Sequence, residues 1–174
     1  MADKSVGLVV MTDIPGIGLV AVLRERGFFN PETMKPESWP GVCQVTVHGR
    51  LEEGEDFLTA LLRELGEELG NNFAFDVASL IIKNPAILGK ISHLQKGDKE
   101  VVTFAIKVDL LLLKKIRLAP DSGAIRLVSL DETTEIADIT PFDRVNGVQD
   151  RRVIAMFSDE KDAVAGAFAF ISSQ

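Results

Sequence analysis

The chain has one cysteine (Cys43), one tryptophan (Trp39), two histidines and no tyrosine in 174 residues. A single thiol cannot close a disulfide within the chain, so the fold must rest on its core. No apolar run approaches the roughly 18 residues that span a bilayer as a helix. The opening MADKSVGLVV has neither a basic segment leading into a long apolar one nor a cleavage site. A cytoplasmic location without membrane contact is the expectation. Positive charge is also scarce: 19 Lys and Arg stand against 26 Asp and Glu, and the basic residues are scattered. Binding a nucleic-acid backbone needs a concentrated positive surface, so no stable nucleic-acid partner is expected. A small phosphorylated ligand stays open, because a bound metal inverts the local sign. The length suffices for a proper core, and residues 1–174 are expected to form a single domain.

Between these absences the chain shows clear periodicity. Val6 to Met11 is a short apolar run of the kind buried strands carry. Pro15-Gly16 marks a turn, and Ile17 to Arg24 reads as the returning strand. Arg26 to Gly41 holds three prolines and two glycines, a long loop of the functional kind. Val42 to Val47 reads as a third strand, and Phe73 to Ile82 as either helix or strand. Ala86 to Leu94 and Ile125 to Leu130 read as further strands. From Val101 to Leu110 apolar and polar residues alternate, which predicts a half-buried strand. Thr140-Pro141-Phe142-Asp143 predicts a helix start, continued by Val145, Gln149, Arg152, Val153 and Met156. Ser158 is expected to cap a last helix presenting Val164, Phe168 and Ile171. Strands around a central helix, then terminal helices, predict an α/β fold with a mixed sheet between helical layers.

The stretch Gly49 to Asn71, GRLEEGEDFLTALLRELGEELGN, is the most informative. Leu58, Leu61, Leu62, Leu65 and Leu69 recur at helical spacing as one apolar stripe. Glu64, Glu67 and Glu68 fall on another face, roughly 120° away at about 100° per residue. Like charges so spaced repel by a few tenths of a kcal/mol, which water or a cation must offset. Hard divalent cations take carboxylate and phosphate oxygens. The stretch fits G-x5-E-x7-R-E-U-x-E-E-x-G-U, with U aliphatic, through Gly49, Glu55, Arg63, Glu64, Leu65, Glu67, Glu68 and Gly70. At usage of roughly 6% per residue type, its seven uniquely specified positions match by chance about once in 10⁸ to 10⁹ starts. Asn71 departs, standing where the pattern has an aliphatic residue.

The pattern is the Nudix box, and the chain resembles the Nudix hydrolases. The resemblance implies an α/β/α sandwich and a hydrolase that cleaves a diphosphate linkage, the substrate a small nucleoside diphosphate derivative. It implies Mg²⁺ or Mn²⁺ held by Glu64, Glu67, Glu68 and the backbone carbonyl of His48. Gly49 lets the backbone approach the metal, and Glu55 and Arg63 form a supporting ion pair. In this family the general base is a box glutamate or a downstream loop acid. Glu132 is the leading loop acid here, with Glu100, Asp131 and Glu135 beside it. Arg24 and Arg26 carry forks that suit phosphate, and Trp39 offers a face for a flat group or an anchor for its loop. Neither His48 nor His93 has ligand-like neighbours in the sequence. Many relatives are dimers, and the resemblance allows a homodimer.

Two other readings share this fold. Ser38-Trp39-Pro40-Gly41-Val42, followed by His48-Gly49, resembles the isopentenyl diphosphate isomerases. Those enzymes need a cysteine just before the box glycine, where this chain has His48. A Nudix-fold ligand sensor is the other; sensors often lose box carboxylates, and this chain keeps them. The absent tyrosine and the off-register Pro85 leave the substrate open between dinucleoside polyphosphates and ADP-ribose-like compounds.

Overall fold

The computed structural model describes residues 3–174. Strand β1 (Asp3–Ile14) is buried without a break from Ser5 to Thr12. A continuous apolar run survives in a strand only when both faces are covered, and β1 lies in the middle of the sheet. It turns through Gly16, whose φ is +84°, into β2 (Gly18–Arg26), which pairs antiparallel with it. A small hairpin, β3 (Phe29–Asn30) and β4 (Lys35–Pro36), interrupts the proline-rich loop. The third strand expected at 42–47 is two short ones. β5 (Cys43–Gln44) pairs with β2, and β6 (Val47–Arg50) with the first half of β1. Thr46 sits between them at the fork where β1 and β2 separate. Its Oγ1 accepts from Val10 N at 2.8 Å and donates to the Val22 carbonyl.

The box helix α1 (Phe57–Leu69) starts at Asp56, whose carboxylate accepts from Thr59 N at 2.7 Å. Leu61, Leu65 and Leu69 are fully buried, each contributing about 1.5–3 kcal/mol. Leu58, at the start of the predicted stripe, is 40% exposed; Ala60 takes the buried place beside Leu61. Gly70 alone separates α1 from α2 (Asn71–Lys83), at φ +89°, and a Cβ there would meet Arg117 Cβ at 3.1 Å. The ambiguous segment is thus helical. Asn71 is exposed at its first position, and the apolar anchoring comes from Phe73, Val77 and Ile81. Gly66 faces Asn71 Oδ1, 3.0 Å from where its Cβ would lie.

A hairpin follows, β7 (Gly89–Lys96) and β8 (Lys99–Lys107), turning at Gly97. β8 pairs in parallel with β1, from Asp3 with Lys99 to Met11 with Lys107. The alternation in β8 does not mark a half-buried strand. It lies between β1 and β7, and residues 101–103, 105 and 106 are all buried because helices cover both faces. Leu110 belongs to the short 3₁₀ turn that follows. β9 (Ser122–Ser129) closes the other edge against β2, giving the order β9-β2-β1-β8-β7.

A two-residue ladder joins β10 (Ala137–Asp138) to β11 (Ala155–Met156). Between them lies α3 (Asp143–Asn146), a single turn where a longer helix was expected. Thr140 does not cap it: its N–H and hydroxyl both donate to Asp143. Gly147 (φ +72°) ends the turn where the chain crosses Pro40, and Phe142 and Val145 stay 64% and 80% exposed. Helical spacing without a surface to cover does not sustain a helix. The last helix, α4 (Ser158–Ser172), buries Val164, Phe168 and Ile171 as expected. Its cap position is Phe157, so Ser158 is the first helical residue and caps nothing.

The strands sort their side chains by twos. Val6, Leu8, Val10 and Val22 pack under α1 and α2, and Val9, Met11, Ala21 and Leu23 under α4. The result is an α/β/α sandwich with a mixed sheet. Among the described residues no helix is long and apolar enough to cross a membrane.

Candidate active site

The fork between β1 and β2 opens at one end of the sheet into a cleft of about 540 Å³. Its walls include Arg24 and Arg26 from β2, His48, Gly49 and Arg50 from β6, and Glu68 from α1. Trp39, Asp121 and the start of α4 from Phe157 to Glu160 complete them, without Ser158. The C-terminal end of α1 is fixed here because two of its carbonyls find partners outside the helix. Arg117 N donates to Leu69 O at 2.8 Å and Ala119 N to Glu68 O at 3.1 Å. The same segment then delivers Ser122, whose hydroxyl accepts from Arg24 at 3.0 Å.

The three box glutamates fan out rather than converge. Glu68 faces the cleft, where one oxygen accepts from His48 N at 3.0 Å and the other pairs with Arg24. Burial pushes its pKa up to about 7 against the opposing pull of Arg24 and the His48 N–H. Glu64 lies behind Gly49, so close that a Cβ there would sit 1.8 Å from its carboxylate carbon. Glu67 is 56% exposed on the outer side. Arg63 holds the outer two: it donates to Glu64 at 2.8 Å and to Glu67 at 3.0 Å. It also grips Glu55 with two bonds of 2.9 and 3.0 Å and the Arg50 carbonyl at 2.7 Å. The Glu55 carboxyl is held below the usual range by Arg63 first and by the Glu52 N–H second. The glutamates therefore do not simply repel; guanidinium groups lie among them.

Among the described residues no three His, Cys, Asp or Glu side chains stand together as a ready metal cage. Mg²⁺ does not need one. It keeps several waters and binds through one or two carboxylates plus substrate phosphate. Glu64 and Glu68, one turn apart beside the His48–Gly49 backbone, are hard oxygen donors of that kind. The space that Gly49 leaves open holds the Glu64 carboxylate. The residues present fit such a cation.

Arg24 and Arg26 both reach the cleft, but neither is a free surface arginine. Arg24 is 5% exposed, and its Nε is buried with no partner among the described residues. Arg26 donates to the Ser38 carbonyl at 2.8 Å and to Glu37 at 2.9 Å, which ties down the loop carrying Trp39. Both histidines prove to have carboxylate partners, that of His48 hidden by distance along the chain. His48 Nδ1 lies 2.7 Å from Glu160, and His93 Nε2 lies 2.9 Å from Glu100. Burial alone would lower the His48 pKa, but the hydrogen bond and charge of Glu160 outweigh it, so the net shift is upward. Sequence reasoning missed Glu160, 112 residues from its partner.

Glu132 is not brought to the cleft. It caps the turn after β9, accepting from both Ser129 N and Ser129 Oγ at 2.8 Å. These bonds, the backbone one first, hold its carboxyl low. Ser129 is at the far end of β9 from Ser122, seven residues or roughly 23 Å away. Asp131 and Glu135 share that turn, and Glu100 is taken by Lys4 and His93. Cys43 is buried under α4, where burial pushes its thiol up to about 12. It offers no thiolate to an isomerase-like reaction.

The chain matches the NUDIX domain over residues 2–152. It therefore belongs to the Nudix family and is a hydrolase acting on pyrophosphate bonds. No curated protein matches it. Among solved structures it resembles a Caenorhabditis elegans Ap4A hydrolase, at 13% identity over 99% of each chain with a TM-score of 0.56. It also resembles a mutT/nudix family protein from Listeria innocua: 20% identity, 98% and 94% covered, TM-score 0.61. A MutT/nudix family protein from Enterococcus faecalis gives 12%, 100% and 63%, and 0.63. At these identities the likeness is one of fold.

Proposed function

We propose that the chain hydrolyses the diphosphate linkage of a nucleoside diphosphate joined to a further group, with Mg²⁺ or Mn²⁺ as cofactor. The observation that carries this reading is Glu68, a carboxylate on the cleft wall bonded to His48 N and flanked by Arg24. Glu64, Glu67, Glu68 and the carbonyl of His48 would hold the cation. When bound, the cation neutralises the diphosphate and lowers the pKa of a coordinated water, supplying the nucleophile.

The remaining work falls to the chain's own groups. Arg24 brings a fixed positive charge to the cleft, its terminal nitrogens on Ser122 and Glu68 and its Nε without a partner. Arg26 and Lys99 add positive charge along the same cleft. Arg63 and Glu55 set the loop that carries Gly49 and keep Glu64 pressed against it. Trp39 gives the cleft a flat apolar wall for the nucleoside end. Preorganised groups of this kind act on charge as it develops in the transition state.

The test is a panel of nucleoside diphosphate compounds incubated with Mg²⁺ or Mn²⁺ in ¹⁸O-labelled water. Label entering a phosphate product is expected. A panel left uncleaved with either metal would remove the proposal. Isomerised allylic diphosphate without phosphate release would replace it with the isomerase reading.

A further inference from the structure

The cleft carries enough carboxylates to cancel its own positive charge. Arg24, Arg26, Arg50 and Lys99 line it, with His48, against six carboxylates. Three of the four permanent cations are already matched. Arg24 pairs with Glu68, Arg26 with Glu37 at 2.9 Å and Arg50 with Asp3 at 3.6 Å. A divalent cation at the box glutamates would first offset the glutamates themselves. A site for a long phosphate chain draws on a surplus of positive charge, because each phosphate adds a negative one. This wall has no such surplus among the described residues.

Glu37 is the member of that wall supplied by the proline-rich loop. The loop is tied down without its carboxylate. Arg26 N donates to Val42 O at 2.9 Å, and Arg26 O accepts from Gly41 N at 3.0 Å. Glu37 N donates to Phe28 O at 3.2 Å, and Arg26 Nε donates to Ser38 O at 2.8 Å. To these backbone bonds the Glu37 side chain adds a charge, set 2.9 Å from Arg26 Nη2. The two side chains are only 15% and 26% exposed. Charges so placed are screened by salt less than a surface pair. Glu37 therefore matches Arg26 at a fixed point of the cleft wall.

We infer that Glu37 sets how many phosphates the cleft accepts: by matching Arg26 it favours a two-phosphate linkage over triphosphates and longer chains. This deepens the proposed function and rests on its diphosphate part. Of the substrates the sequence leaves open, it selects ADP-ribose-like compounds over dinucleoside polyphosphates. Each further phosphate brings about one more negative charge to a wall with no positive surplus. Glu37 acts through Arg26 and not on the reacting atoms, so its role is in specificity.

Glu37→Gln removes the charge and keeps the tie, since the amide oxygen still accepts from Arg26. Binding of ADP and ATP to the full chain is measured by calorimetry with Mg²⁺, at low salt and at about 1 M. At low salt the parent should bind ATP no more tightly than ADP. In Glu37→Gln the ratio of ATP to ADP affinity should rise about tenfold. That is the scale of one unit charge acting over roughly 10 Å at an effective dielectric constant of about 20. At about 1 M salt, where the Debye length is about 3 Å, the rise should vanish. A rise that persists there reports a change of shape and overturns the inference, as does an unchanged ratio at low salt. If the variant does not fold, the parent decides. Its ratio should hold or climb with salt; a fall reveals a surplus of cations and refutes the role of Glu37. A parent that binds neither nucleotide refutes it too. Turnover in ¹⁸O water with an unchanged ratio in the variant would remove this inference alone. The expected ratios without turnover on any compound would remove the hydrolase reading alone.

Discussion

Gly49→Ala isolates the contact on which the metal-binding geometry depends. The φ of Gly49 lies outside the left-handed region, so its lack of a side chain is a matter of space. An added Cβ would lie 1.8 Å from Glu64 Cδ, 1.9 Å from Oε1 and 2.4 Å from Cγ. Those atoms end a flexible side chain, so Glu64 swings out rather than the sheet opening. In leaving, it gives up its 2.8 Å bond from Arg63. A hydrogen bond to a charged group contributes about 1.5–3 kcal/mol. We expect a loss of about 2 kcal/mol, or roughly 4–8 °C in Tm for a chain of this size. The displaced carboxylate also leaves the cation's donor set, and metal-dependent turnover should fall by about two orders of magnitude or more. Denaturant melts of the metal-free protein give the first quantity and Mg²⁺-dependent hydrolysis the second. In a Glu64→Ala background the same Cβ has room, so the stability cost should largely vanish, a coupling expected of groups in contact. Parental turnover in Gly49→Ala, or an undiminished cost without Glu64, would refute the reasoning.

Glu68→Gln and Leu65→Ala should separate chemistry from folding. The first exchanges a carboxylate disfavoured by burial for a neutral group of the same shape. Its NH₂ must then face either the His48 N–H or Arg24, so it should cost about 1–3 kcal/mol of stability while lowering turnover by about a hundredfold or more. The second removes a fully buried side chain and should cost about 2–5 kcal/mol with the carboxylates in place; melts paired with turnover compare them. Cys43, raised from the ordinary 9.0 to about 12 by burial, should resist a thiol-specific disulfide reagent at pH 8 in the native state and react once unfolded. Because folding raises this pKa, the folded chain binds the proton more tightly. The contribution is therefore complete below pH 9 and is lost as pH climbs from 9 towards 12, which denaturant midpoints across that range should show.

The leucine spacing of α1 was readable because a helix that packs on a sheet must repeat its apolar residues at 3.6. The same logic failed after Thr140, where the spacing was helical but Gly147 and the crossing of Pro40 left no surface to cover. In β8 the alternation was real, yet Thr103 and Ala105 are buried because α4 covers that face too, a fact set by residues far along the chain. The box glutamates were legible as a group, but their partners were not. Arg24 meets Glu68 across 44 residues and His48 meets Glu160 across 112. No local pattern signals such pairs. Glu132 followed a strand and preceded a turn, as a catalytic loop acid should, but at the wrong end of that strand. Strand direction within a sheet cannot be read from a single segment.

The parallel pairing of β1 with β8 constrains how the chain is made. Asp3 must wait for Lys99, and Met11 for Lys107. At about 5–20 residues per second, a ribosome takes roughly 5–20 s to extend the chain from the end of β1 to the end of β8. Throughout that interval only β2 and β6 can pair with β1, and they lie along the same edge. The other edge carries six consecutive residues, Val6 to Met11, with no charge and no proline. Such a segment is a template for pairing with another nascent chain. Ribosome-bound chains arrested before residue 99 should therefore be protease-sensitive and bind holdase chaperones, while chains arrested well past residue 107 should be protected. Equal protection in both would show that β1 is sheltered before its central partner exists.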